Sequence, residues 1–208
     1  MRKHKTMIIT TLICLIPMIV AALVYDRLPE QMVTHWGNDG SNGYSPKAFA
    51  CFGLPGIMVG LNLLVYFMME NDPKRKNYSH TLRKLIVYVI PVMTLVTSAV
   101  TIGTGLGVTF QVNLIMPVLV GIILIIIGNY LPKCKQNYTI GIKCPWTLNS
   151  EENWNKTHHL GGYLTIIAGI LMMFGGLSDV TQVLAFVGVI AAALIPFGYS
   201  FWLYKKGI

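Results

Sequence analysis

Six long apolar runs decide what this chain can become. They fall at about 7–25, 48–69, 85–107, 112–131, 161–177 and 181–204. A bilayer's hydrocarbon core is about 30 Å thick and takes roughly 20 apolar residues as helix. Lipid offers the backbone no hydrogen-bond partner, so helices are the expected spanning form and open sheet edges are excluded. The expected fold is therefore an all-α integral membrane protein with six transmembrane helices. A composition of 54% hydrophobic and 12% charged residues fits no soluble globular class. One membrane domain is expected over 1–208: a helix pair with its cap over 1–69, and a four-helix part over 85–208.

The net charge of +8 is a topology signal. With the N-terminus inside, Arg2, Lys3, Lys5, Lys74, Arg75, Lys76, Arg83, Lys84, Lys133, Lys135, Lys143, Lys156, Lys205 and Lys206 share one side, and only Arg27 and Lys47 fall opposite. Cytoplasmic loops carry such an excess, so both termini are expected inside, where the cations also meet anionic headgroups. No nucleic-acid motif accompanies the charge, and no direct nucleic-acid partner is expected. The basic link around 71–84 reads as a topology determinant. The opening Arg2-Lys3-His4-Lys5 and its apolar run resemble a signal peptide, but lack a small-residue cleavage site and continue to spanning length. An uncleaved first helix is expected.

Cys14, Cys51, Cys134 and Cys144 form no C-x-x-C pair, so neither a zinc ribbon nor a redox motif is expected, and no cofactor. No Asp, Glu, Lys or Arg sits mid-helix, which disfavours an ion or proton carrier. The stripe Thr94, Thr97, Ser98, Thr101 and Gly105 reads as a helix-packing face.

Two polar segments remain. The outer one, 26–47, holds His35-Trp36 and the turn formers Asn38-Asp39-Gly40 and Ser41-Asn42-Gly43; an ordered cap is expected. The long inner one, 132–160, begins where Gly128-Asn129 loosens the fourth helix and Pro132 stops it. Gly141 and Pro145 confine its middle, and Trp146 is expected at the interface with its N–H free to donate. Ser150 reads as an N-cap followed by Glu151 and Glu152 at the positive end of the dipole. Helical spacing would put Glu151, Trp154, Asn155 and His158 on one side of a surface-lying helix. Gly161-Gly162 would then mark a bend or a close contact.

Glu151 with His158, and His35 with Asp39, are the remaining candidates for metal or acid–base work. Their spacing lacks the two-His turn of the zinc-protease motif. Histidines satisfied by a headgroup or a carbonyl account for them as well. No catalytic residue is assigned.

At the inner segment the chain resembles the SdpI family of bacterial membrane proteins. The resemblance rests on GNYLPK (128–133), QNYTIGIKCPWTL (136–148) and the run from Glu151 through Trp154 to Gly161-Gly162. The family's pattern falls on Asn137, Gly141, Ile142, Lys143, Pro145, Trp146, Thr147 and Leu148. An accessory N-terminal module matches at Leu28-Pro29, His35-Trp36, Gly40 and Lys47. Cys144 stands where other members often have Thr.

This resemblance implies a bacterial plasma-membrane immunity protein whose partners are lipid and a secreted antimicrobial peptide toxin. It also implies a signalling role in which a cytoplasmic autorepressor is held at the membrane through the inner segment. The rival readings are an intramembrane or lipid-modifying metal-dependent enzyme and a small transporter.

Overall fold

The computed structural model describes residues 4–37 and 40–208. Its seven α-helices among these residues are α1 (Lys5–Val24), α2 (Leu54–Glu70), α3 (His80–Gly105), α4 (Val112–Tyr130), α5 (Pro145–Asn149), α6 (Glu151–Phe174) and α7 (Asp179–Lys205). All but the short α5 are long and apolar enough to cross a membrane. The chain is a multi-pass membrane protein.

Two compact units emerge, one of Met1–Glu70 with Arg83–Asn113, the other of Asn71–Leu82 with Leu114–Ile208. In the first, α1 and α2 are joined by polar contacts at membrane depth. Asn62 donates from Nδ2 to the hydroxyls of Thr10 and Thr11, each at 3.2 Å. An amide without such acceptors would be expensive in hydrocarbon. Thr94 and Thr97 return their hydroxyls to the carbonyls of Ile90 and Met93. The face they were expected to form packs against Cys14 through Thr94 and closes at Gly105, where an added Cβ would meet Met32 and Leu28.

The ordered cap expected over 26–47 is built on a β-hairpin. β1 (Gln31–Gly37) pairs antiparallel with β2 (Gly40–Pro46), with irregular register between Val33 and Trp36. Leu28 and Met32 plug it into an apolar cluster with Ala21, Ala50, Cys51 and Ile102. A Lys47–Glu30 ion pair of 2.8 Å lies at its base.

In the second unit, glycines set how closely the helices approach. A Cβ on Gly121 would lie 2.6 Å from the Gly169 carbonyl oxygen, and one on Gly169 2.7 Å from that of Gly121. Gly128 and Gly162 oppose each other in the same way, each virtual Cβ 2.8 Å from the other's oxygen. So α4 and α6 run past each other backbone to backbone, the small-residue packing that membrane helices favour. Gly128 does not loosen α4, which continues to Tyr130 before a 3₁₀ turn at Leu131–Lys133. Nor does Gly161-Gly162 bend α6. An added Cβ on Gly162 would strike Pro132 at 2.7 Å, so this pair is a close contact inside one helix.

A candidate recognition segment folded on α6

The 134–150 segment has little regular structure, and its backbone polar groups must therefore find side chains. Asn137, fully buried, supplies several of them. Its Oδ1 accepts from the N–H groups of Thr139 (2.9 Å) and Ile140 (2.6 Å), while Nδ2 donates to the Lys135 carbonyl at 2.9 Å. This is an Asx-type turn, for which Asn is suited because its amide mimics a peptide. Gln136 donates from Nε2 to the carbonyls of Thr147 (2.8 Å) and Leu148 (2.9 Å), tying the start of the segment to its end. Thr147 accepts from the Cys144 N–H at 3.0 Å and donates to the Ile142 carbonyl at 3.0 Å. That bond caps α5, whose first position is Pro145, where a missing N–H costs nothing. Lys143 reaches from the exposed side to the carbonyls of Tyr138 (3.2 Å) and Thr139 (3.0 Å).

Underneath lies the first part of α6. Ser150 caps it as expected, its Oγ accepting from the Asn153 N–H at 3.2 Å. The buried stripe differs from the expected one. It consists of Asn153, Trp154, Thr157, His158, Gly161 and Gly162, while Glu151 and Asn155 are exposed. Glu151 and His158 therefore do not form a pair. Nor does α6 begin as a separate surface helix: it is continuous from Glu151 to Phe174, because the segment above covers its polar first turns.

Trp154 and His158, both fully buried, are the floor of the segment. Their rings stack at 4.0 Å between centroids. Trp154 donates from Nε1 to the Cys134 carbonyl at 2.7 Å. His158 Nδ1 lies 2.7 Å from the Trp154 carbonyl, which can only accept, so the proton is on Nδ1. Nε2 is then the acceptor, and it takes the Ile142 N–H at 3.0 Å. Both ring nitrogens are thus occupied by the backbone, and the neutral tautomer is imposed. The chain can come this close only at Gly141, with φ +110°, where an added Cβ would lie 2.3 Å from Nε2. Neither ring nitrogen has a lone pair left for a metal.

One participant was not legible from the sequence. Asp72, in the link read only as a topology determinant, is 4% exposed. Its Oδ2 accepts from the Tyr138 N–H (2.9 Å), the Thr139 hydroxyl (2.8 Å) and the Tyr78 hydroxyl, and Oδ1 from the Lys74 N–H at 2.7 Å. Lys74 and Asn77 also reach the Gln136 side-chain and backbone oxygens. Burial would raise the Asp72 carboxyl, but the Tyr78 and Thr139 hydroxyls and the two N–H donors outweigh it and hold it below the usual carboxylate value. Burial and the Asp72 bond push the Tyr78 phenol well up, so it remains a donor. The Cys134 thiol is pushed up to about 11, again chiefly by burial, and is an unreactive neutral group.

Trp146 does not present a free N–H to the interface. Its ring packs on Phe197, Phe201 and Tyr204 of α7, and the N–H is covered.

In the hairpin, His35 is exposed and Trp36 half-buried, while Lys47 bonds Glu30 and lies 4.7 Å above the Tyr25 ring. Pro29 precedes β1, and Gly40 is the first residue of β2. Asp39, the proposed companion of His35, lies outside the described residues, as does Asn38. Among the described residues, no group of three or more His, Cys, Asp or Glu could hold a metal ion.

These two polar regions coincide with what is recognisable in other proteins. Residues 133–200 match the SdpI/YfhL protein family, and residues 12–59 match a domain of unknown function, DUF1648. The chain resembles the SdpI family over 133–200. It is 26% identical over 211 residues to Immunity protein SdpI of Bacillus subtilis (strain 168), covering 97% of each chain. No solved structure matches.

Proposed function

We infer that this chain is a non-enzymatic immunity protein of the bacterial plasma membrane, protecting its cell against a secreted antimicrobial peptide toxin. The observation that carries this reading is end-to-end similarity to an immunity protein, hairpin and 134–158 segment included. In the proposed topology both termini are cytoplasmic, so the hairpin meets the toxin from outside. Exposed His35 and half-buried Trp36 are its contact residues; Pro29, Gly40 and Lys47 hold the strands. The finer role is reception: with toxin present, the inner segment holds a cytoplasmic autorepressor at the membrane. Asn137, Gly141, Pro145, Trp146, Thr147, Trp154 and His158 shape that segment, while exposed Lys143 and Glu151 give it its outward chemistry.

The enzyme reading fares poorly on chemistry. A general base or metal ligand needs a lone pair facing substrate, and both nitrogens of His158 are spent on the backbone. Glu151, exposed, is no partner for it.

The test is expression in a toxin-sensitive strain challenged with secreted membrane-active peptides. Protection is expected from the wild type, with loss on His35→Ala/Trp36→Ala at unchanged membrane level. Unchanged killing by every peptide of this class would overturn the immunity reading. Recruitment of a fluorescent repressor to the membrane, with and without toxin, tests the receptor role separately.

A further inference from the structure

Among the described residues, one fully covered side-chain nitrogen has no hydrogen-bond partner: the indole Nε1 of Trp146. Orphaned donors of this kind are rare in folded proteins, because each forfeits its bond to water with no replacement. Nothing in the local backbone forces the orphan. The Thr147 cap and Pro145 fix the turn that carries Trp146, and they leave the indole directed onto α7.

Three aromatic side chains of α7 pack on the indole. Phe197 and Phe201 meet the ring edge-on at 5.4 and 5.3 Å, and Tyr204 stacks on it at 6.1 Å. These three rings are themselves 48%, 43% and 54% exposed, on the apolar helix that spans the bilayer. A ligand reaches the donor only if the side chains around the indole turn aside. A cation stands beside them: the ammonium of Lys205 lies 5.5 Å from the centre of the Phe201 ring, and Lys206 follows, 3.8 Å above Trp202. Both lysines are exposed.

A donor lacking an acceptor, one ring removed from an ammonium at the end of a spanning helix, suits a single kind of ligand. The geometry points to a headgroup site for an anionic phospholipid. A phosphodiester oxygen accepts from Trp146 Nε1, Lys205 supplies the balancing charge, and the acyl chains lie along Phe197 and Phe201. The indole is suited to this position because its body is apolar and its one polar atom donates. The site is independent of the immunity reading.

The competing account is that the N–H rests against ring faces, a weak contact. Titrating phosphatidylglycerol, phosphatidylcholine and soluble glycerol 3-phosphate into the purified full chain in detergent separates the two. The readouts are retained lipid by native mass spectrometry and the thermal midpoint. Phosphatidylglycerol should be retained and raise the midpoint; the other two should do neither. Trp146→Phe keeps the ring and should leave the midpoint in detergent alone unchanged, yet weaken phosphatidylglycerol binding about tenfold. Lys205→Gln should weaken it less, and Trp202→Phe not at all. Wild-type retention by Trp146→Phe would overturn the site, as would equal retention of phosphatidylcholine. A midpoint raised by glycerol 3-phosphate alone would replace the lipid with a free phosphate ester.

Discussion

The hairpin and the 134–158 segment are the two polar elaborations of this chain, and they are secured by different means. The hairpin depends on apolar plugs, Leu28 and Met32, with one ion pair at its base. A Thr34–Ser45 hydroxyl hydrogen bond of 2.9 Å also joins its strands. The 134–158 segment is the reverse. Asn137, Gln136, Thr147, Trp154, His158 and Asp72 each bond backbone groups that would otherwise be buried unsatisfied. An apolar plug tolerates a change of shape at modest cost, whereas a bonded backbone group is left orphaned when its partner goes. Sequence freedom should therefore be wide at the hairpin's surface and narrow throughout the other segment.

The largest effect should come at Gly141. Gly141→Val places a branched side chain at φ +110° and into His158, combining backbone strain with overlap. Its cost should be at least about 3 kcal/mol, read as loss of the monodisperse peak in size-exclusion chromatography. A well-folded Gly141→Val protein would break the contrast. Next is His158→Ala, which strands the Ile142 N–H and unstacks Trp154; roughly 2–4 kcal/mol is expected by thermal unfolding in detergent.

Asp72→Asn should cost about 1–2 kcal/mol, since a neutral amide replaces a carboxylate accepting four bonds. Its pH dependence has a definite sign. A carboxyl held below its unfolded value of 3.8 stabilises the fold above that value, and the contribution is lost as pH falls further through the folded value. Acid unfolding below about pH 4 should thus be less steep in Asp72→Asn than in wild type. The smallest effect belongs to the hairpin. His35→Ala should shift stability by no more than about 0.5 kcal/mol, so a larger shift would show that the hairpin, too, depends on its polar side chains.

The spanning helices were legible because bilayer thickness dictates a run length that composition alone reveals. The Ser150 cap could be read from residue type. Where α6 begins could not, because Glu151, Lys156 and His159 look like a surface helix until something covers the opposite face. Asp72 was hidden among basic neighbours; its role comes from a segment more than sixty positions away, and no local pattern carries that. The hairpin was disguised by its turn formers. His158 shows the same limit from the other side. Spacing made it a ligand candidate, and only the positions of the Ile142 N–H and the Trp154 carbonyl reveal both nitrogens as spoken for.

The two glycine pairs between α4 and α6 are each seven positions apart along both helices. Sliding one rod past the other by a turn would drive Ile125 or Ile166 into a gap that admits only hydrogen. The pair therefore behaves like a toothed joint with one engaged setting. Any displacement of the segment resting on α6 must carry both helices together.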